Sequence, residues 1–146
     1  MESAIRHQYD AALALKAPGS AAVTVNGNTA AVDLYHITKG RGDVDGRYGI
    51  GSFDVVVMIS EIDTASGNET YTLTFETVDA AGANPVAQEV VAVTAGMVGT
   101  PLAFAFHPAT LKAKDADAAA IRVAVAVAGT TPSIKFYAFA APHSHY

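Results

Sequence analysis

Five histidines and several closely spaced aspartates are the residues of this chain whose chemistry could serve a functional site. His143 and His145 lie two positions apart, so on a β-strand both rings would share one face, as two ligands of one metal ion must. The same two residues fall within the last four of the chain, and chain ends are commonly mobile unless something ties them down. Two interpretations stay open, a metal site and a tail that is either flexible or docked on a partner, and we favour the tail.

The segment 39–51, KGRGDVDGRYGIG, could act in adhesion, bind a cation or form a plain loop. Arg41, Gly42 and Asp43 spell an adhesion tripeptide, which has that meaning only in an extracellular setting that nothing in the sequence supplies. Asp43 and Asp45 are spaced as at the start of a calcium loop, but the other oxygen ligands and the closing glutamate are missing. Because the segment is too rich in glycine and charge for a core, we predict an exposed loop that reaches a partner.

The sequence shows no arrangement of residues for catalysis. It contains no Gly-x-Ser-x-Gly elbow, no glycine-rich phosphate-binding loop and no cysteine. The other acidic pairs, Glu61 with Asp63 and Asp115 with Asp117, stand in predicted turns, where short polar side chains bind backbone groups. We therefore expect a protein that is not an enzyme and that uses no metal or cofactor.

Length and charge narrow the classes of partner. A chain of 146 residues fits one domain of ordinary size. Its formal charge of -5 disfavours nucleic acid, since binding to phosphates draws on clustered Lys and Arg. No apolar run is long enough to span a bilayer, and residues 1–18 lack the basic start and the apolar block of an export signal. We expect neither nucleic acid nor a membrane as partner.

Strands are the elements that must position these residues. Residues 1–19 show mixed periodicity and end at a Pro-Gly pair, which predicts an arm or a short helix. AAVTV and TAAVDLYHIT flank Asn26-Gly27, and Asn-Gly between apolar runs is the strongest short-range signal of a β-hairpin. FDVVVMIS is an unbroken apolar run typical of a central strand, whereas ETYTLTFETV alternates strictly and predicts a strand with one buried face.

AQEVVAVT, PLAFAFH, AIRVAVAVAG and SIKFYAFAA continue the series, separated by turn sequences without a convincing helix. This pattern predicts an all-β fold, a two-sheet antiparallel sandwich of jelly-roll type with eight or nine strands. We place the arm at residues 1–19, the sandwich at 20–142 and a C-terminal tail at 143–146. The alanines of two strands are either thin core or outward positions that let subunits approach closely: Ala103, Ala105, Ala124 and Ala126.

The order of AVDLYHI, the glycine-rich loop, FDVVVMISE, TYTLTFETVDAAGANP, LAFAFHP and above all IRVAVAVAGTTPSIKFYAFAAP resembles the jelly-roll capsid cement, or decoration, proteins of tailed bacteriophages. The resemblance covers roughly residues 31–142, and Thr77-Val78-Asp79 replaces the Ser-Asp pair more usual in the family. It implies a structural virion protein that self-associates as a dimer or trimer, binds the outside of the head and holds neighbouring major capsid protein subunits together. Such a protein is made in the cytoplasm of the bacterial host.

Three segments with polar or aromatic side chains are the predicted contacts with the capsid or another partner, because Arg and Tyr are favoured at interfaces. They are Arg6, His7 and Tyr9 in the arm, Arg41, Asp43, Asp45, Arg47 and Tyr48 in the loop, and His143, His145 and Tyr146 in the tail. Two alternatives stay open, a head-fibre or tail component and a carbohydrate-binding sandwich. The absence of Trp weighs against the second, since such modules usually present an aromatic platform.

Overall fold

A computed structural model describes residues 9–39 and 52–142 of the chain, which form two antiparallel β-sheets. The strands are β1 (Ala14–Lys16), β2 (Gly27–Asn28), β3 (Val32–Asp33), β4 (Phe53–Ile62), β5 (Thr70–Val78), β6 (Val86–Ala92), β7 (Leu102–Phe106), β8 (Ala120–Ala128) and β9 (Ile134–Pro142). The helices are α1 (Leu34–Lys39) and α2 (Pro108–Lys114), and two single turns of 3-10 helix cover Ala11–Leu13 and Ala95–Met97.

The strand order is that of a jelly roll, which confirms the predicted fold class. The first sheet has the order β1-β9-β4-β7, and the second has the order β2-β8-β5-β6, with β3 also pairing with β8. β2 and β3 follow one another along the same edge of β8, so the sandwich has eight strand positions. Apart from β2 with β3 and β5 with β6, consecutive strands lie in different sheets, as in two linked Greek keys.

Hydrophobic patterning explains why β4 and β5 occupy the middle of their sheets. β4, the unbroken apolar run, pairs with β9 on one side and β7 on the other, as predicted for a central strand. β5 points Tyr71, Leu73 and Phe75 into the core, while Thr72 and Thr74 on its other face are half-buried. The period of two in the sequence therefore becomes the two faces of one strand.

Aromatic rings join the two sheets at the centre of the core. Phe75 of the second sheet lies with its ring centroid 4.7 Å from that of Phe104 and 5.5 Å from that of Phe106, both on β7 of the first sheet. Phe106 also contacts Phe53 at 5.8 Å. The side chains packed around these rings are small and aliphatic, and those that are fully buried include Val55, Val57, Ile59, Leu73, Ile121, Val123 and Ile134.

The hairpin predicted around Asn26-Gly27 is wrong. Gly27 and Asn28 pair with β8 instead of closing a turn, and Val23 forms a bridge with Ile134 of the opposite sheet. The polar side chains explain the difference, since Asn26 Oδ1 accepts a hydrogen bond of 2.8 Å from the backbone of Val127. The segment around Asn26-Gly27 therefore leads the chain from the first sheet to the edge of the second.

The prediction that no helix separates the strands is also wrong. The strand predicted through LYHIT stops at Asp33, whose Oδ1 accepts a hydrogen bond of 2.7 Å from Tyr35 N at the start of α1. α2 begins after His107, whose Nδ1 accepts from Ala109 N at 3.1 Å, and buries Leu111 against the core. Both helices are too short to show a clear helical periodicity in the sequence. Their starting points are set by the side chains that accept hydrogen bonds from the first turn.

The segment predicted as an arm contributes to the sandwich from residue 11 onward. One turn of 3-10 helix, started by Asp10 Oδ1 accepting from Ala12 N, leads into β1 at the edge of the first sheet. Leu13 and Leu15 are buried in the core. Before this turn, the structure describes Asp10 and Tyr9, and the ring of Tyr9 contacts Phe139 of β9.

Candidate functional site

The strand order sorts the connections of the sandwich between its two ends. At one end lie α1, the 79–85 turn and α2, together with the entry into β1 and the exit from β9; we call this the α2 end. The register supports the assignment, because Phe53 at the start of β4 lies opposite both Phe106 at the end of β7 and Pro142 at the end of β9. The connections 17–26, 63–69, 93–101 and 129–133 lie at the opposite end, which we call the Tyr71 end.

Of the predicted contact residues, Tyr9 is within the described part of the chain. The others lie outside the described residues: Arg6, His7, Arg41, Asp43, Asp45, Arg47, Tyr48, His143, His145 and Tyr146. The described residues that flank these segments are Tyr9, Lys39, Ser52 and Pro142: the last three border the α2 end, and Tyr9 precedes β1, which enters the first sheet from the side of that end. Three segments that are far apart in sequence therefore join the sandwich at one end.

Tyr9 lies on the outer face of the first sheet. Its ring meets Phe139 edge-on, with centroids 5.4 Å apart and an interplanar angle of 83°. Phe139 also stacks on Tyr137 at 6.4 Å and belongs to a small apolar cluster with Val56 and Ala141, separate from the main core. Tyr9 keeps 39 % of its surface exposed, so part of its ring remains accessible beside this cluster.

A cleft of about 300 Å³ opens at the α2 end between the edges of the two sheets. It is lined by Ser52, Gln88, Glu89, Ala105, Phe106, His107, Thr110, Leu111 and Lys114. Two hydrogen bonds hold α2 against β6: Lys114 Nζ donates to Gln88 O at 3.2 Å, and Gln88 Nε2 donates to Leu111 O at 3.4 Å. The cleft is therefore part of the scaffold that fixes α2.

Of the acidic residues predicted in turns, Asp63 and Asp115 do serve turns, whereas Glu61 lies in β4 opposite Lys135, so its predicted place in a turn is wrong. Asp63 Oδ1 accepts from Ala65 N at 2.8 Å, and Asp115 accepts from Asp117 N at 3.2 Å and from the hydroxyl of Thr77 at 2.8 Å. Within residues 9–39 and 52–142, no group of three or more His, Asp or Glu side chains is placed to hold a metal ion. In the same ranges, no helix has the length and apolar character to cross a membrane.

The four alanines with two possible roles all lie on outer faces. Ala103 and Ala105 alternate with the buried side chains of β7, and Ala124 and Ala126 alternate with those of β8. Next to Ala124 and Ala126, β5 places Thr72 and Thr74, so this part of the second sheet has an uncharged outer face of small side chains. Such faces allow a partner to approach the sheet closely.

The ion pair between Glu76 and Arg122 is a feature that the sequence analysis missed. The two residues are opposite one another on β5 and β8, and Arg122 Nε lies 2.7 Å from Glu76 Oε1 with little exposure of either side chain. Opposite charges in directly facing positions stabilise an antiparallel pair. Only the register between the strands could have revealed it, and the pair closes one border of the uncharged face.

Asp79 organises the 79–85 turn at the α2 end. Its Oδ1 accepts from Ala81 N and Ala83 N, each at 2.9 Å, and its Oδ2 accepts from Asn84 Nδ2 at 2.8 Å. The hydrogen bond from the Ala83 backbone, followed by that from the Asn84 side chain, holds the pKa of Asp79 below its ordinary value. The turn therefore depends on the ionised carboxylate.

We expect acid to weaken the stabilising effect of Asp79. A carboxyl group whose pKa is lower in the folded than in the unfolded state stabilises the fold above the unfolded pKa of about 3.9. That contribution is lost as the pH falls through the lower, folded pKa. Urea unfolding should show Asp79→Asn less stable than the wild type at pH 7, with the difference shrinking toward pH 3; Asp117→Asn controls for the loss of a charge. An equal difference at both pH values would contradict this.

Comparisons of the chain with protein-family models, with curated proteins and with solved structures find no significant match.

Proposed function

We propose that the protein is a structural virion protein that binds the outer surface of a tailed-phage capsid and cements neighbouring major capsid protein subunits. The observation that carries the proposal is that the described residues bordering the arm, the long connection and the tail are all on the side of the α2 end of a jelly roll. The resemblance of residues 31–142 to capsid cement proteins supports the same role. A lattice of capsid subunits is a partner that one such end can contact at several points.

The Tyr71 end supports the proposal from the opposite side, because two of its four connections, 63–69 and 129–133, are tied to one another. The hydroxyl of Tyr71 donates to Asp63 O and accepts from Ser133 N at 2.9 Å, which links two connections through one buried ring. Asn68 and Thr130 link the same connections by two further hydrogen bonds, of 2.9 and 3.1 Å. A body with two linked connections at one end, and with the described borders of its arm and tail on the side of the other end, fits a protein that clamps onto a surface.

Binding through several weak contacts is the mechanism that suits this arrangement. Each contact of the arm, the long connection or the tail need only be modest, because contacts made together on a repeating lattice have a high effective concentration. The small side chains at Ala103, Ala105, Ala124 and Ala126 would let neighbouring bodies approach closely on that lattice. No reaction step is needed for this function, which agrees with the expectation that the protein is not an enzyme.

Truncation tests whether the α2 end makes the contacts. Deleting residues 1–8 or residues 143–146 should lower the occupancy of stripped phage heads at limiting protein by roughly tenfold, because each deletion removes one of several linked contacts. Co-sedimentation with heads of the phage that encodes the chain, followed by gel densitometry, measures the occupancy. Circular dichroism should show that both truncated proteins keep the sandwich, since the described main core extends from Leu13 to Ala140.

Thr64→Lys at the Tyr71 end is the matched control. Thr64 is exposed in the connection between β4 and β5, so a lysine there should leave the occupancy of the heads unchanged. Equal binding by the full chain and by both truncated proteins would contradict the proposed contact end. So would a loss of binding by Thr64→Lys as large as that caused by the truncations.

A further inference from the structure

β6 is the longest edge strand of the described sandwich. It has seven residues, compared with five in β7, three in β1 and two each in β2 and β3. Edge strands expose backbone N–H and C=O groups that can pair with another chain, and proteins usually block them by irregularity or charge. The length of β6 therefore raises the question of how its outer edge is used.

The first half of β6 carries such blocking features. Pro85 precedes the strand, and a bulge interrupts its register with β5, where Glu89 faces Phe75 and Ala87 faces Glu76. At the bulge, Lys114 Nζ donates to the carbonyl of Gln88 at 3.2 Å and occupies that backbone acceptor. Another strand could not extend a regular ladder along this half.

The second half of β6 has a regular register and an apolar outer face. Val90 faces Thr74 and Ala92 faces Thr72, and the backbone pairing with β5 continues through Val93 N, which donates to Tyr71 O at 2.9 Å. Val90 keeps 62 % of its surface exposed, a large fraction for a valine in a strand. In residues 9–39 and 52–142, no strand pairs with the outer edge of β6.

We propose that residues 89–93 pair antiparallel with the same residues of a second copy of this chain, around a two-fold axis at Val91. The second sheets of the two copies then form one continuous sheet, with Val90 of each copy opposite Ala92 of the other. An axis at Glu89 would set two carboxylates opposite each other, and an axis at Val90 would bring the bulge at Gln88 into the ladder. Pairing centred on Val91 avoids both conflicts.

A second copy is the occupant because the edge complements itself. The five-residue window places Glu89 opposite Val93 of the other copy, so its one charge meets an apolar residue and no like charge. The neighbouring outer face, with Thr72, Thr74 and Ala92, carries no charge that would keep two identical faces apart. The inference rests on the proposed function in one respect: binding to a capsid through several linked contacts is strengthened when copies of the chain also contact each other.

Charge substitutions test both the edge and its register in free protein, without phage heads. Wild-type protein should have the mass of two copies in analytical ultracentrifugation at concentrations up to about 100 µM. Val90→Lys combined with Ala92→Lys sets two pairs of lysines opposite each other, and the mass should fall to one copy. Val90→Lys combined with Ala92→Glu sets each lysine opposite a glutamate, and the mass of two copies should return.

Ala21→Lys combined with Ala22→Lys is the matched control, because it adds the same two charges at exposed alanines of the connection into β2, at the opposite edge of the second sheet from β6. This variant should keep the mass of two copies, and circular dichroism should show all variants folded. A wild-type mass of one or three copies would overturn the inference, as would equal masses for the two β6 variants. Capsid binding by a protein that stays monomeric in solution would overturn the contact between copies while leaving the proposed function in place.

Discussion

Replacing Gly129 by alanine is expected to destabilise the protein by about 3 kcal/mol or more, enough to lower the midpoint of thermal unfolding by roughly 10 °C. Gly129 follows β8 with a φ of 111°, a conformation that residues with a β-carbon rarely adopt. An added Cβ would lie 2.6 Å from Glu69 Cα and 2.8 Å from Asn68 O. These are backbone atoms, so the connection 63–69 would have to move as a whole.

Gly82→Ala provides the matched comparison for Gly129→Ala. Gly82 has a φ of 75° in the 79–85 turn, but nothing lies within 4 Å of an added Cβ. Alanine there should cost only the conformational strain, about 1 kcal/mol. Urea unfolding of both variants separates strain from collision. A loss for Gly129→Ala no larger than that for Gly82→Ala would show that the two connections of the Tyr71 end are not packed as closely as described.

Truncating Phe75 to alanine should also cost about 3–5 kcal/mol, because a cavity would replace the ring that joins the two sheets. Phe75 is fully buried, and its ring contacts both Phe104 and Phe106 of the facing sheet. The loss should appear as a lower midpoint of urea unfolding with little change in slope, as expected when stability alone changes. Proteolysis should attack the variant faster in proportion to its open fraction.

Two controls bracket the Phe75 result. Phe75→Leu keeps most of the apolar volume and should lose less than half as much stability as Phe75→Ala. Val25→Ala removes apolar volume from a side chain that is 71 % exposed, so its free energy of unfolding should stay within about 0.5 kcal/mol of wild type. A small effect of Phe75→Ala would mean that the sheets are held together elsewhere in the core.

The period of two made the middle of the fold predictable from sequence. β5 alternates between aromatic or aliphatic and threonine side chains, and β4 is apolar throughout, so each pattern matches one way of burying a strand. The helices could not be read in the same way, because α1 and α2 are short. Their starts depend on Asp33 and His107, whose side chains accept hydrogen bonds from the following backbone N–H groups, and α2 is held by burial of Leu111.

The wrong prediction at Asn26-Gly27 shows that pairing with a strand distant in sequence can override the local preference for a hairpin turn. An Asn-Gly pair between apolar runs favours a hairpin, but the edge of β8 needed a partner. Asn26 and Thr29 supply hydrogen bonds to the backbone of β8, at Val127 and Val123, that a local turn would not make. The order of the strands in the sheet determines whether the segment forms a local turn or pairs with β8, and that order cannot be read from the sequence pattern.

The site was less predictable than the fold for the same reason. The sequence indicated three polar or aromatic segments, but nothing in it showed that they join the sandwich at one end. Strand direction and the register around Phe53 supply that fact. The contact between Tyr9 and Phe139 likewise depends on which outer face the chain crosses before β1, and the pairing of Glu76 with Arg122 depends on the register of β5 with β8.

The thermal rupture of phage heads tests the central claim most directly. Stripped heads of the phage that encodes the chain would be saturated with purified protein, and DNA or dye release would be followed on heating. The proposed function predicts binding at a fixed ratio to the major capsid protein and a rupture temperature higher than that of bare heads. No saturable binding, or binding that leaves the rupture temperature unchanged, would contradict a cementing role.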